Sequence, residues 1–330
     1  MSNIVSKALS VVSGGLTDFL PTPLADQVID YIRDVNIIRR LVTSVTMPGR
    51  TYKFPGRASG MSAYYAPDGS EAVVTNFTST SVTLTAKKLF SQAIVDMEAI
   101  EDSQPNIIQI VLQEFGRAVG EAEEYAFLQG DTSHTATAQT PSDATAANWF
   151  VGDSRVMFSG LFTLADASVN ASCATEVNAA NGVFAPAMVN QLLYNLGKYG
   201  RNKSDIVLIM DSSAAANLRN NSTFASAYAS GLSLSSQITG LDIGIALTNG
   251  FVTNLFGIMC YEAPFAPSGK AVMFKKSSPL IGDRRAIKVA SAPIIQSDQT
   301  RFVVSERVAF TNQWADAIGR ITNLSTTIGS

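Results

Sequence analysis

The residue types that carry most protein chemistry are scarce in this chain of 330 residues. Its single histidine, His134, lies in the polar stretch GDTSHTATAQTPSD, which is typical of a loop. A serine–histidine–aspartate triad would have to use that residue, and so would most zinc sites. We interpret His134 as a solvent-exposed loop residue; the alternative is a catalytic histidine.

The two cysteines and the acidic residues also give little evidence of a catalytic or metal-binding site. Cys173 and Cys260 are far apart and form no CxxC pair, so they are either free thiols, which we favour, or one disulfide. Glu121, Glu123 and Glu124 crowd the second half of a predicted helix. An acid/base pair is one interpretation, and we favour a solvated or interface face of the helix.

Motifs for nucleotide, metal and hydrolytic chemistry are absent from the sequence. It contains no Walker loop, Rossmann glycine signature, H-E-x-x-H or G-x-S-x-G motif at the necessary spacing. We therefore expect no catalytic, cofactor-binding or metal-binding residues and predict that the protein is not an enzyme.

The charge content favours protein contacts. Only 15% of residues are charged and the net charge is −3, which argues against a dedicated nucleic-acid binder. One basic cluster is offset by Asp283 alone, and it suits phosphate, a neighbouring acidic surface or a solvated rim; we favour a subunit contact or the rim. Its members are Lys270, Lys275, Lys276, Arg284, Arg285 and Lys288.

No stretch reaches the roughly 20 uninterrupted apolar residues of a membrane helix. The nearest, Ile245 to Cys260, is broken by polar residues and Gly250. The first residues, SKALSVVSGGL, imitate an export signal only weakly because serines interrupt the apolar run. We expect no membrane association and a protein made in a cytoplasm.

The elements that must position these residues begin with an amphipathic arm at 22–41, followed by two extended segments. These are predicted strands at 43–57 and 81–97, joined by a tip with the turn signal Pro67-Asp68-Gly69. A hairpin with so little apolar content is unstable alone in water. It therefore indicates a neighbouring subunit.

The strongest helix signal covers residues 103–129, with Ser103 as cap and Gly130 as stop. Gly116 and Gly120 lie one turn apart inside it, each at a cost of about 1 kcal/mol relative to alanine. Close approach of another backbone is one explanation, and a site of bending is the other.

Helices and strands then alternate irregularly to the end of the chain. A helix is predicted at 185–199, a buried strand at 205–210 and a short helix to Leu218. Strands follow at 256–261, 270–274, 286–289 and within 301–321. Because no regular strand–helix–strand alternation occurs, the fold class is α+β.

The order of these elements resembles one family. The passage TAKKLFSQAIVDMEAIEDSQPNIIQIVLQEFGRAVGEAEEYAFLQGD, with PLIGDRRAIKV and SERVAFTNQWADAIGRIT, is similar to tailed-bacteriophage major capsid proteins of the Hong Kong 97-like fold. The resemblance implies an N-terminal arm (1–45), an extended E-loop (46–97), a peripheral domain with a spine helix (98–149), an axial domain (150–289) and a returning peripheral strand (290–330).

The same resemblance implies a structural role in the virion. Copies of the chain would form hexamers and pentamers of an icosahedral head around double-stranded DNA, assembled in the host bacterial cytoplasm. Implied partners are a portal, a decoration protein and the packaged DNA, contacted without sequence specificity. Because only residues 1–20 precede Pro21, scaffolding is expected from a separate protein or a different mechanism.

Specific residues follow from this assignment. Tyr64 and Tyr65 of the E-loop tip are candidates for contact with a neighbouring subunit, or else pack on their own. Arg284 and Arg285 are expected to face carboxylates such as Asp68 or Glu71 of a neighbour, and Gly116 and Gly120 to allow the spine helix to bend. The tip from 58 to 80 has no lysine, so covalent crosslinks of the kind found in some members are not expected.

Two other functions stay open. Encapsulin nanocompartments share the fold and enclose protein cargo in place of DNA. A cytoplasmic hydrolase is the alternative from another class, and the residue inventory does not supply its catalytic groups.

Overall fold

The structure is a computed structural model that describes residues 36–59, 63–71, 74, 78–102, 107–145, 148–220 and 250–327. The helices are α1 (Ile37–Leu41), α2 (Met97–Asp102), α3 (Ile107–Gln129), α4 (Leu161–Leu164), α5 (Pro186–Asn195) and α6 (Ser212–Asn220). The first strands are β1 (Thr43–Thr46), β2 (Thr51–Ser59), β3 (Thr78–Thr85), β4 (Lys87–Asp96), β5 (Thr135–Ala138), β6 (Asn148–Phe150) and β7 (Val177–Asn178). The others are β8 (Ile206–Met210), β9 (Phe251–Leu255), β10 (Ile258–Glu262), β11 (Ala271–Lys275), β12 (Pro279–Ile294), β13 (Gln299–Asn312) and β14 (Ile318–Thr322).

Strand β8 lies inside a six-stranded mixed sheet with the order β7-β14-β11-β8-β10-β9. All five of its residues are buried, because successive side chains enter cores on opposite faces. Ile206, Leu208 and Met210 pack with residues of α5 and α6, whereas Val207 and Ile209 pack with residues of α1, α3 and α4. The continuous apolar run DIVLIM thus predicted both the strand and its double-sided burial.

A four-stranded sheet with the order β1-β12-β13-β4 forms the second layer. β13 is antiparallel to both β12 and β4. Helix α3 covers one face of this sheet, where Phe115 and Val119 pack against Phe302 and Val304 of β13. The apolar side chains predicted for one face of the helix therefore pack against the apolar side chains that alternate along RFVVSERVAF.

The end of α3 is where the sequence predicted it. The helix stops at Gln129, and a Cβ on the next residue, Gly130, would lie 2.2 Å from the carbonyl oxygen of Phe158. Only glycine permits this close passage of two backbones. The predicted start at Ser103 lies outside the described residues, and the separate helix α2 precedes it.

The predicted single strand from Ser81 to Met97 is wrong, because the chain forms two strands there. β3 pairs with β2 as a hairpin, and β4 pairs with β13 in the four-stranded sheet. Between them Ala86 donates its backbone N–H to the carbonyl of Arg50 (2.8 Å) and is buried with Leu84 and Met47. Ala86 is therefore the residue at which the β2–β3 hairpin is joined to the four-stranded sheet.

One arginine joins four elements of the fold. Arg39 of α1 donates through Nε to Glu123 of α3 (2.7 Å) and through Nη2 to Glu306 of β13 (2.9 Å). Both guanidinium Nη atoms lie 3.1 Å from the carboxylate of Asp283 on β12. The neighbouring Glu124 accepts from the backbone N–H of Ile37 (3.3 Å). The expectation of a solvated or interface face is wrong for Glu123 and Glu124, which are buried inside the subunit.

The close packing of these charged groups shifts the pKa values of Arg39 and Glu306. Burial opposes the charge of Arg39, yet its hydrogen bonds to Glu123 and Asp283 hold its pKa above the usual range. Burial and the negative charge of Glu123 raise the pKa of Glu306 to about 8, although Arg39 opposes this. The arrangement therefore favours the protonated form of Glu306 at pH values where an ordinary glutamate is ionised.

We predict that Glu306→Gln removes a pH dependence of stability. The folded pKa of Glu306 lies above its ordinary value of 4.5, so the folded state binds more protons and its stability falls as pH rises from 4.5 to 8. Glutamine imitates the neutral acid. Because one pKa unit corresponds to about 1.4 kcal/mol, the variant should gain about 1–3 kcal/mol at pH 8.5 and little at pH 4.5.

Chemical denaturation at the two pH values measures this difference. The matched control is Glu121→Gln, since Glu121 makes only an exposed pair with Arg117 (2.8 Å) and should change stability by less than about 0.5 kcal/mol at either pH. An equal effect of Glu306→Gln at both pH values would contradict the assignment of the proton.

Candidate inter-subunit surfaces

The tip of the β2–β3 hairpin is acidic, aromatic and exposed. Tyr64 and Tyr65 have 63% and 90% of their surface accessible, and Asp68 and Glu71 are also exposed. The predicted turn is confirmed: Ser70 donates its backbone N–H and its hydroxyl to the carbonyl of Pro67 (3.1 and 2.7 Å). Gly69, with φ of 82°, supplies the left-handed backbone that the turn needs. Neither tyrosine is covered by the described part of the subunit, and their contact with a neighbouring copy stays a prediction.

The basic cluster of the sequence is divided between two places. Lys275 lies 5.2 Å from the ring of Trp314, and Lys276 donates to the carbonyl of Ser204 (3.2 Å), both at the carboxyl end of the interior strand β11. Arg284 and Arg285 lie on β12, where the pairing with β13 is interrupted by a bulge. The cluster is therefore not a single surface, and Asp283, its one predicted counter-charge, is bound by Arg39.

Arg284 and Arg285 differ in environment. Arg284 is half-buried and has no partner residue in the strand pairing, whereas Arg285 is exposed and donates to the hydroxyl of Ser305 (2.6 Å). Arg285 lies directly opposite Arg307 of β13, which lies opposite Lys88 of β4. The sequence analysis did not single out Arg307 or Lys88. The alternation in RFVVSERVAF places Arg307 and Glu306 on opposite faces of the strand, and this pattern was the signal that could have identified Arg307.

Gly116 and Gly120 of α3 have open space around them. A Cβ at either position would meet no atom within 4 Å in the described part of the chain, apart from the helix itself. Close approach of another backbone of the same subunit therefore does not explain them. Bending of α3 stays a prediction.

His134 lies in a loop, as predicted, but it is only partly exposed. Its ring stacks on Trp149 with 4.0 Å between centroids, and its Nδ1 is 3.5 Å from Asp131. Arg155 lies 4.1 Å from the same indole. These contacts assign His134 to loop packing.

The cysteines are free thiols, as favoured from the sequence. Burial raises the pKa of Cys260 to about 12, which keeps that thiol protonated and unreactive. Among the described residues there is no group of three histidine, cysteine or acidic side chains that could hold a metal ion. Nor does that part of the chain contain a helix long and apolar enough to span a membrane.

Comparison with known proteins bears on these surfaces. The model of the phage capsid family matches residues 17–322. The major capsid protein of Klebsiella oxytoca phage phiKO2 is 30% identical over 148 residues, which are 44% of this chain and 34% of that protein. The match thus spans about a third of the length of this curated relative.

Solved phage capsids share the fold. The capsid of a native GTA particle superposes with a TM-score of 0.64 at 15% identity, over 95% of this chain and 98% of the other. A solved structure from Mycobacterium phage Bobi gives a TM-score of 0.62 at 14% identity, over 95% of this chain and 98% of the other. The resemblance inferred from the order of elements is confirmed, and the match over residues 17–322 shows that the chain belongs to the phage capsid family.

Proposed function

We propose that this protein is the major capsid protein of a tailed phage, assembling into hexamers and pentamers of an icosahedral head that encloses double-stranded DNA. Membership of the phage capsid family supports this function. The observation that carries it is the β2–β3 hairpin, whose tip exposes two tyrosines and two carboxylates in the described part of the chain. Such a hairpin gains most of its contacts from a second copy.

The elements take their roles from the same proposal. The hairpin corresponds to the E-loop, α3 to the spine helix, the four-stranded sheet with α3 to the peripheral domain, and the six-stranded sheet to the axial domain. The N-terminal arm is assigned to residues 1–45, of which the structure describes 36–45. A separate scaffolding protein, a portal, a decoration protein and non-specific contact with packaged DNA belong to the proposal, and assembly takes place in the host cytoplasm without covalent crosslinks.

We predict that the purified chain forms capsomers and closed shells. Family membership and a surface with few charges favour many weak contacts between copies. Light scattering and electron microscopy, with a scaffolding protein present, should reveal uniform shells. A stable monomer of 35 kDa under every assembly condition would contradict the proposal. DNA inside native shells would support a phage head, and protein cargo would indicate an encapsulin-like compartment.

We predict that deletion of Gly60 to Gly69 abolishes or destabilises shells and leaves the isolated subunit intact. The described part of this segment is exposed and contributes little to the core, so the midpoint of thermal unfolding should change by less than about 2 °C. Ordering a free tip costs about 1–2 kcal/mol per residue, which contacts in the shell must offset.

Hydrogen exchange supplies the second measurement. Amides of the tip should exchange quickly in subunits and slowly in shells. Equal protection in both states would make the tip an intramolecular element and remove its assigned role at the interface.

We predict that replacing Gly116 and Gly120 together by alanine stabilises the subunit and impairs any shape change of the shell. Because each Cβ enters open space, alanine should add about 1 kcal/mol per position through helix propensity alone. A stiffer α3 should then slow the change in shell diameter on DNA filling, measured by electron microscopy. A diameter change at the wild-type rate in a stabilised variant would exclude bending at these glycines.

A further inference from the structure

One end of the six-stranded sheet concentrates positive charge. At this end β8, β10 and β14 begin and β11 ends, because Phe274 of β11 lies opposite both Val207 of β8 and Ile318 of β14. The segments that meet there are residues 197–205, 256–257, 275–278 and 313–317. They contain five cations and only two carboxylates, Asp205 and Asp316, although the whole chain has a net charge of −3. The cations are Lys198, Arg201, Lys203, Lys275 and Lys276, and we call this surface the basic end of the sheet.

Contacts between the segments make the basic end one continuous surface. Lys276 donates its backbone N–H to the carbonyl of Asp205 (2.7 Å), which joins the segment after β11 to the segment before β8. The ring of Tyr199 stacks on the ring of Trp314 with 6.0 Å between centroids. The ammonium of Lys275 lies 5.8 Å from the first ring and 5.2 Å from the second. The cations therefore lie beside each other and beside two aromatic rings.

Most of these cations have no carboxylate partner. Asp316 forms an ion pair with Lys198 (3.2 Å), and Asp205 accepts instead from the side-chain amide of Asn202 (2.6 Å). Among the described residues, no carboxylate forms a salt bridge with Arg201, Lys203, Lys275 or Lys276. The surface thus keeps a positive charge that an anionic partner could neutralise.

The carboxylates of the adjoining segment do not supply that partner. Asn170 donates to the carbonyl of Ala315 (3.3 Å), so the segment that contains Asp166 and Glu176 packs beside the basic end. Both carboxylates form salt bridges with Arg320, at 2.8 and 2.9 Å. Their charge is therefore compensated within the subunit by another residue.

A strained aromatic residue lies at the same surface. Phe256 and Gly257 form the two-residue turn between the paired residues Leu255 and Ile258, and their φ angles are 54° and 87°. Such a turn favours asparagine and glycine, and a bulky residue at positive φ is strained. Phe256 is nevertheless 48% exposed, and a Cβ on Gly257 would lie only 3.6 Å from the Cβ of Lys203. A strained side chain that the subunit buries so little indicates a contact outside the subunit.

We propose that the basic end of the sheet binds the phosphate backbone of packaged duplex DNA, with Phe256 in apolar contact with the sugars. This inference rests on the proposed function and names the surface that makes its non-specific DNA contact. Four of the five cations are lysines, which are depleted at protein–protein interfaces and which bind phosphate as point charges. The rings of Tyr199 and Trp314 hold the ammonium of Lys275 without adding a counter-charge, so it stays available to phosphate.

Neutral substitution of two exposed cations tests the proposal. Arg201→Gln with Lys203→Gln removes two phosphate contacts, and each contact contributes about 0.9 to the slope of log affinity against log salt concentration. Titration of a fluorescent duplex of random sequence with the full chain should therefore give a slope less steep by about 2. The affinity should fall at least about tenfold at about 0.1 M salt. The matched control, Lys288→Gln with Arg301→Gln, carries the same charge change at exposed positions of the four-stranded sheet and should bind as wild type does.

Phe256→Asn separates a contact with DNA from a role in folding. Asparagine tolerates positive φ better than phenylalanine, so the midpoint of thermal unfolding should rise by about 2 °C. The affinity for the same duplex should fall at least about threefold, because an aromatic contact with the nucleic acid is lost. Wild-type affinity in both this variant and the double variant would show the proposal to be wrong, as would a wild-type chain that binds no duplex at low salt.

Ultraviolet crosslinking in DNA-filled shells locates the contact. Mass spectrometry of wild-type shells should detect nucleotide adducts on Tyr199, Phe256 or Trp314. Adducts confined to other parts of the chain would exclude this surface and leave the capsid function standing. If Arg201→Gln with Lys203→Gln impairs the assembly of shells without DNA, the basic end contacts protein and the proposal is overturned. Failure of the wild type to form shells under every condition would overturn the proposed function itself.

Discussion

The structure depends on a charge junction that joins four of its elements. The guanidinium of Arg39, with 33% of its side chain accessible, is hydrogen-bonded to the carboxyl groups of Glu123, Asp283 and Glu306 on three separate elements. The position of α1, the rotation of α3 about its axis and the register of β12 against β13 must all be right at once for these contacts to form. Because one guanidinium is hydrogen-bonded to groups on three other elements, displacement of any of the four elements would break at least one of these contacts.

The register of the four-stranded sheet also determines on which of its faces the other charged residues lie. Strand β13 places Glu306 on the side of α3, in the junction, and Arg307 on the opposite side, since neighbouring residues in a strand face opposite ways. The acidic side chain of Glu306 therefore lies on the face of the sheet that α3 covers, and the basic side chain of Arg307 lies on the opposite face.

The sequence correctly predicted those features of the fold that depend on patterns among neighbouring residues. The apolar run of β8, the end of α3 before Gly130 and the turn at Pro67–Ser70 each depend on neighbouring residues, and each is in the structure. The burial of Glu123 could not be predicted in the same way, because its partner Arg39 is 84 residues away. The break at Ala86 was missed because both flanking strands have strand-like composition, and only their different partners separate them. The row of Lys88, Arg307 and Arg285 required the register of two strand pairs and the position of a bulge, which no periodicity specifies.

The two kinds of charge site have opposite consequences for an assembling subunit. The Arg39 junction is satisfied within the chain, so it stabilises the monomer and does not depend on neighbours. Within the described part of the chain, Arg285 on the other face of the sheet is exposed and forms no salt bridge, and the side chains of the hairpin tip are exposed as well. A subunit built in this way folds before it assembles, because its internal charges are already compensated.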